Sequence, residues 1–566
     1  MRVGLAESQF RALMIGAVSL VVIFAYSNTL SNGFVWDDAS SVLTHKHVQD
    51  PSKLRQLFRE DQHAFGRGEG SFYRPLVSLS FMADFALAYD GPKEALAAGR
   101  VPELDPFLFH VINTAWHIVA SLLFFALLTR LEAPRFVRLT APLLYAVHPL
   151  HTEAVSYISG RGDSMAATFM FAGLWCAMWD RTLWRRIAGG LLSALCFAAA
   201  ALCKESALIF PALLTLINAV RPVEEPEKPG LLVYAKRSIP VLVSLALLGL
   251  YVYLRQALDL GMPSAARETS VGQRLLETGQ AFALYIRLIF APTGLHMERT
   301  LEGVPGWIGA VGLALLAACA ALLVVEGILR KRRRLAIAVG WFLVTWFPIS
   351  GLIPLNAPMA EHWMYVPLAG FLWALAEVVW PLLRRPTAQK TARVAVYVVC
   401  VLFVVLTLAR NRDWRDDETL YLATLEENPD SVRVHFNLAV VYDDLQENLP
   451  AAERHYRSVI TLREAQKKEL PGDTNAVLFW DDELEAHLFL GDARLEQRRY
   501  REAVEHYNLI LQIEPTEKNA ACLGMASYGM GKCMLAAGNR ESAAALFERA
   551  TQTFPHLERD VARLMM

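Results

Sequence analysis

Seven cysteines in 566 residues leave little room for sulfur chemistry. Cys176, Cys196, Cys203, Cys319 and Cys400 fall in apolar runs, where cysteine behaves as a small hydrophobe. Cys522 and Cys533 lie in a polar tail without metal-type spacing, so neither a disulfide framework nor a zinc site is signalled. Charge of one sign is also missing. Lys and Arg number 55 against 56 Asp and Glu, a net charge of −1, which argues against nucleic acid as the main partner. The chain has no P-loop, no glycine-rich nucleotide motif and no serine elbow, which removes the usual signs of a soluble activated donor.

What the chain has is apolar length. Hydrophobic residues make up 54% of it and the mean hydropathy is +0.29. Runs long enough to cross a bilayer as helices occur near 9–28, 107–129, 138–156, 164–181, 187–203, 205–220, 238–256, 305–329, 335–353, 364–383 and 392–410, about eleven in all. The first lacks a small-residue cleavage site and reads as a retained signal anchor. The stretch 273–292 carries Arg274, Glu277, Arg287 and Pro292 and reads as interfacial or re-entrant. Basic clusters sit at Arg130/Arg135/Arg138, Arg181/Arg185/Arg186, Arg221 to Arg237, Arg330 to Arg334 and Arg384 to Arg393. Eleven spans put all five clusters on the cytoplasmic face; twelve would split them. Loop 29–106 and everything after 410 are then exoplasmic.

Beyond residue 410 the composition turns polar and a period of about 34 residues emerges. One copy has Leu490-Gly491, Ala503, Tyr507 and Pro515. The next has Gly531, Ala543, Phe547, Ala550 and Pro555. A degenerate earlier copy has Leu438-Ala439, Tyr442, Ala452 and Tyr456 with one residue inserted, and Pro429 is placed to close a repeat upstream of it. Small residues where two helices touch, an aromatic plug and a closing proline are the tetratricopeptide pattern. Such an array offers a concave protein- or peptide-binding surface, or serves as a spacer. The expected division is a membrane domain over 1–410 and a repeat domain over 411–566. The expected fold class is all-α: a polytopic helix bundle followed by an α-solenoid.

Ionisable groups at membrane depth are costly and mark candidate sites. Phe34-Val35-Trp36-Asp37-Asp38 follows the first span, and two adjacent carboxylates repel, so at least one needs a partner, a ligand or a raised pKa. The pair suits a chemical centre, or else a helix-capping turn. Arg74, in Ser71-Phe72-Tyr73-Arg74-Pro75, precedes the apolar run Leu76 to Leu87 and is placed to clamp a phosphate or to snorkel at the interface. His148-Pro149-Leu150-His151-Thr152-Glu153 leads into Gly160-Arg161-Gly162-Asp163. His148 and His151 share a helix face; with Glu153 they suit a polar substrate better than a divalent metal, and no metal is assigned. Gly160 to Asp163 reads as a tight turn from which Arg161 reaches an anion. Lys204-Glu205 opens a span, where a lysine works against the helix dipole unless an anion lies close. Arg287 sits in the interfacial stretch, and Asn356, Glu361, His362 and Tyr365 in a short turn between late spans. All fall on one membrane face.

Carboxylates beside arginines, lysine and histidines at a bilayer surface suit transfer from a lipid phosphate donor to a polar acceptor. A carboxylate can take the proton of an attacking hydroxyl, and cations can neutralise the departing phosphate. Apolar spans can hold a polyprenyl tail. A non-catalytic scaffold whose repeats recruit exoplasmic partner proteins is the second reading. A transporter is disfavoured because the polar groups crowd one surface instead of lying mid-span.

The Phe34–Asp38 element, Phe72-Tyr73-Arg74-Pro75-Leu76, the block from His148 through Ala154-Val155 to Asp163, Lys204-Glu205 and the terminal repeats together resemble the transmembrane and tetratricopeptide-repeat O-mannosyltransferases of the GT-C superfamily. The resemblance implies a GT-C membrane core, inverting transfer of mannose from dolichyl- or polyprenyl-phosphate mannose, and a serine or threonine hydroxyl of a translocated protein as acceptor. It implies a base at Asp37 or Asp38 and phosphate contacts from Arg74, Arg161 and Lys204, to which Arg287 is added. His148, His151, Glu153, Asp163, Glu205, Glu361, His362 and Tyr365 would meet substrate. The family's late Glu-Arg-x-x-Tyr is here Glu361-His362-Trp363-Met364-Tyr365, which leaves that arginine's role unassigned. Few repeats and short loops favour a bacterial inner-membrane protein with periplasmic repeats over an endoplasmic reticulum protein with lumenal ones.

Overall fold

The computed structural model describes residues 6–65, 72–92, 94, 96, 100–179, 182–220, 231–258, 260, 270–353, 355–445, 448–469, 480–516 and 519–565. Ser71, Arg181 and the start of the Arg221 to Arg237 cluster lie outside them. The chain divides into two compact units, 1–420 and 421–566. Each is helical.

Among the described residues of the first unit, seven helices are long and apolar enough to cross a membrane, among them Phe107–Arg130, Gly306–Gly327 and Pro386–Trp414; Pro75–Ala88 and Glu205–Val220 are shorter apolar helices. Several of the expected spans are shorter than their apolar runs. The run 138–156 is helical only over Arg135–Ala146; Pro149 has no N–H to continue the ladder, and Pro149–His151 and Ile158–Gly160 become single 3-10 turns. The run 164–181 begins its helix three residues early, as Arg161–Ala177, and 335–353 is helical over Arg333–Trp346. In 205–220 the first turn is 3-10, Glu205–Ile209, before Phe210–Val220.

Ion pairs sort the helix ends. At one end Glu7 meets Arg138 at 2.6 Å and Arg135 at 3.4 Å, Arg130 donates to the Met178 carbonyl, and Arg334 bonds Glu377 at 3.1 Å and the Glu132 carbonyl at 3.3 Å. Two of the basic clusters therefore meet there. At the opposite end Asn411 bonds Ala25, Asn28 and Ser156, each at 2.8 Å. The Leu76 amide donates to the Leu202 carbonyl at the same end.

The stretch 273–292 forms a 20-residue helix, Val271–Phe290. Leu260, upstream of it, is bonded by Arg255, which also meets Glu205 at 3.5 Å; Arg299, downstream, meets Glu361 at 2.7 Å. Glu205 and Glu361 both lie at the Asn411 end, so the segment enters and returns on one side, as a re-entrant helix does. It packs closely against Gly306–Val324. Leu276 faces Gly306 and Gly309, and Gly279 faces Gly309 and Gly312; a Cβ on Gly312 would stand 1.8 Å from the Gly279 carbonyl oxygen. Without water to drive helices together, such backbone contact supplies the packing energy.

The second unit pairs Val432–Val440 with Leu449–Glu469, Asp481–Glu496 with Tyr500–Leu511, and Ala520–Ala536 with Arg540–Thr553. The periodic residues do what the pattern requires. A Cβ on Gly491 would stand 2.6 Å from the Tyr507 ring, and one on Gly531 2.6 Å from the Phe547 ring. Tyr456 stacks on Phe489 with centroids 4.9 Å apart, joining the first pair to the second.

Candidate functional site

The aspartate pair separates into two environments. Asp38 is fully buried; one oxygen accepts the Val35 amide at 3.0 Å and the other the Ser159 amide at 2.7 Å. It thus ties the first loop to the turn before Arg161–Ala177. Asp37 is only half-buried, and its backbone carbonyl accepts the Ser41 amide at 2.9 Å. Trp36 between them and Val35 has φ of 53°, a conformation that costs a non-glycine residue about 1–2 kcal/mol. It is held by its amide donating to Asp417 at 2.7 Å and by a ring stack, Trp36 on Tyr157 at 5.4 Å and Tyr157 on Trp414 at 5.3 Å.

Burial pushes the Asp38 carboxyl up to about 7, against the two amides and with the Asp37 charge adding to the rise. Between an ordinary carboxyl value and 7 the folded protein keeps a proton that the unfolded chain has lost. Stability therefore falls as pH rises through that window and levels off above it. Asp38→Asn should flatten the slope in thermal melts taken in detergent from about pH 4.5 to 7.5. A slope as steep as wild type's would show that Asp38 is not its source.

Next to this loop stands a chain of opposite charges. Arg74, at the start of Pro75–Ala88, meets Glu205 at 3.1 Å and lies 4.6 Å over the Phe72 ring; Arg255 meets the other oxygen of Glu205 at 3.5 Å. Lys204 donates to Asp163 at 2.6 Å, and both are buried. An internal carboxylate thus accounts for the lysine at that helix start. Lys204 and Asp163 lie on a small cleft that Ser206, Ile209, Thr345, Ile349, Trp363, Val366 and Pro367 also line.

Arg161 departs from expectation. It is fully buried and starts a helix, whereas the sequence reads as a tight turn from which Arg161 reaches an anion. Its guanidinium donates to Asn113, Ser80, Asp84 and the Phe109 carbonyl, which uses four of its five N–H groups. It braces the turn and has no donor set to offer a phosphate. Asn113 turns its amide to the carbonyls of Val155, Tyr157 and Ile158 at 3.0–3.2 Å. Gly160 closes the turn so tightly that a Cβ would stand 2.3 Å from the Glu153 carbonyl oxygen.

The histidines do not act as a pair. His148 accepts the Leu150 amide on Nδ1 and so carries its proton on Nε2, donated to the Ile289 carbonyl at 3.0 Å. His151 is sealed among His117, Tyr145 and Tyr365, with ring centroids 4.5–5.2 Å away. Tyr365 in turn donates to His117 Nδ1 at 2.6 Å. Glu153 faces the late turn, receiving the His362 amide at 2.9 Å and standing 2.8 Å from its Nδ1. Glu361 receives the His296 amide and both Nε and Nη2 of Arg299 at 2.7–3.0 Å, with Arg410 at 3.8 Å. Arg287 is exposed and donates to Thr293 at 3.4 Å.

Four groups that matter here were not singled out in the sequence: Arg255, Arg299, Arg410 and His117. Each sits within or beside an apolar run, and the rule that charged residues at membrane depth need partners had applied equally to them.

These features define a multi-pass helical membrane protein carrying a tetratricopeptide-repeat unit. Family models described as tetratricopeptide repeat match residues 405–469 and 525–556. Protein O-mannosyl-transferase TMTC3 of Mus musculus is 25% identical over 88% of this chain and 55% of its own length. Protein O-mannosyl-transferase TMTC4 of Mus musculus is 25% identical over 79% of this chain and 65% of its own. Protein O-mannosyl-transferase Tmtc1 of Drosophila melanogaster is 33% identical over 36% and 22%. The chain is a relative of these proteins named protein O-mannosyl-transferase, and it spans about half to two thirds of the length of the first two.

Proposed function

We propose that the chain is an inverting membrane glycosyltransferase that moves mannose from a polyprenyl-phosphate carrier to serine or threonine hydroxyls of exported proteins, on the exoplasmic face. The observation that carries this reading is the split of the aspartate pair. Asp38 spends both oxygens on backbone amides, which leaves Asp37 as the carboxylate with access to solvent. In the reaction Asp37 takes the acceptor hydroxyl's proton as the oxygen attacks C1 of the sugar. The bond from C1 to the phosphate oxygen breaks, and polyprenyl phosphate departs. Lys204 and Arg74 would face that phosphate by exchanging part of their pairing with Asp163 and Glu205. The names of the relatives support the sugar and the protein acceptor. The repeats would present the acceptor, and Glu153, His362 and Glu361 would contact sugar or peptide.

Purified full-length protein should transfer label from polyprenyl-phosphate mannose to a serine- and threonine-rich peptide. Lys204→Gln should raise KM for the lipid donor by about 10–100-fold, the worth of one charge-assisted contact, with KM for the peptide unchanged. No transfer by wild type above heat-treated protein would favour the scaffold reading. Transfer with an unaltered donor KM in Lys204→Gln would move the phosphate site elsewhere.

A further inference from the structure

Two of the three repeats carry a pair of histidines at the same places. His435 lies four residues before Ala439 and His487 four before Gly491, each on the first helix of its repeat. His455 directly precedes Tyr456 and His506 directly precedes Tyr507, each on the second helix. In both repeats the Nδ1 atoms face each other at 2.9 Å with ring centroids 5.2 Å apart, although the first repeat has one residue inserted between its helices. In the third repeat Ser527 and Leu546 take these places.

The tautomer of His435 is fixed. Its Nε2 lies 2.9 Å from the Pro429 carbonyl oxygen and must donate a proton to it. Nδ1 therefore carries the lone pair, aimed at His455. A backbone carbonyl that orients the far N–H of an imidazole is the usual outer support of a metal-binding histidine.

The spacing is that of a hydrogen bond and also lies within reach of a shared ion. Two nitrogens about 2.05 Å from an ion stand about 2.9 Å apart at a right angle and about 3.3 Å apart at the tetrahedral angle. We propose that each histidine pair is a two-imidazole site for a divalent late-transition cation with cis square-planar or tetragonal geometry, cupric ion fitting best. Without the ion, His455 donates its Nδ1 proton to His435. When the ion binds, that proton moves through solvent to His455 Nε2 and both lone pairs turn to the metal, water completing the coordination. No cluster of three or more histidine, cysteine or acidic groups occurs among the described residues, so these sites rest on two protein ligands each. The cation would clamp the two helices of a repeat together and stiffen the repeats next to a third that lacks the pair.

The test is a cupric ion titration of the full chain, prepared without a polyhistidine tag and read by electron paramagnetic resonance. Two equivalents per chain are expected, each with hyperfine splitting from imidazole nitrogen. His435→Gln and His487→Gln should each remove one equivalent, and the double variant both. His455→Asn and His506→Asn, on the other helices, should give the same losses; melts of each variant establish that it is folded. Wild type binding no more copper than a folded double variant would overturn the proposal, as would a third nitrogen-ligated site in the third repeat.

Discussion

Asp37→Asn is expected to lower mannose transfer by about 10²–10⁴-fold, the range for losing a general base, with KM for the lipid donor unchanged. The neighbouring Asp38→Asn should behave differently. Its carboxylate is enclosed by the Val35 and Ser159 amides, and an amide in its place turns one N–H against another. The expected result is a less stable protein that keeps transfer at permissive temperature. Initial rates with saturating donor, together with melting temperatures in detergent, separate the two outcomes. A folded Asp38→Asn without activity beside an active Asp37→Asn would reverse the roles.

Arg161→Met should destabilise the membrane unit by about 3–5 kcal/mol, because it strands the buried Asp84 carboxylate and unpairs Asn113, Ser80 and the Phe109 carbonyl. Arg161→Lys should recover little of this, since one ammonium cannot reach four acceptors held around a planar fork. The effect should appear as lost folded protein in detergent, with donor KM unchanged in what survives. A stable Arg161→Met with a raised donor KM would restore Arg161 to the phosphate site.

Much of the fold was legible because the physical signals are local. Apolar runs of bilayer length, grouped basic clusters and a period of small residue, aromatic plug and proline need no tertiary context. The charges in Val271–Phe290 marked it as unlike a simple span, and its two flanks do return to one end of the bundle. The boundaries of 138–156 were not legible: hydropathy runs straight through His148 to Glu153, while Pro149 and the close approach at Gly160 stop the helix at Ala146.

Taken alone, the sequence determined the class of this protein, a multi-pass helical membrane unit followed by tetratricopeptide repeats. Composition and periodicity carry that information, and burial of apolar surface enforces it. Only the tertiary structure decided what each charged residue does, because that depends on partners distant in the chain. Asp37 and Asp38 are identical neighbours in sequence, and the Ser159 amide separates them. Arg161 and Lys204 look alike as buried cations, yet Arg161 is spent on four acceptors while Lys204, paired with Asp163, lines a cleft. The histidine pairs lie 20 and 19 residues apart and meet only because paired helices fold back on themselves.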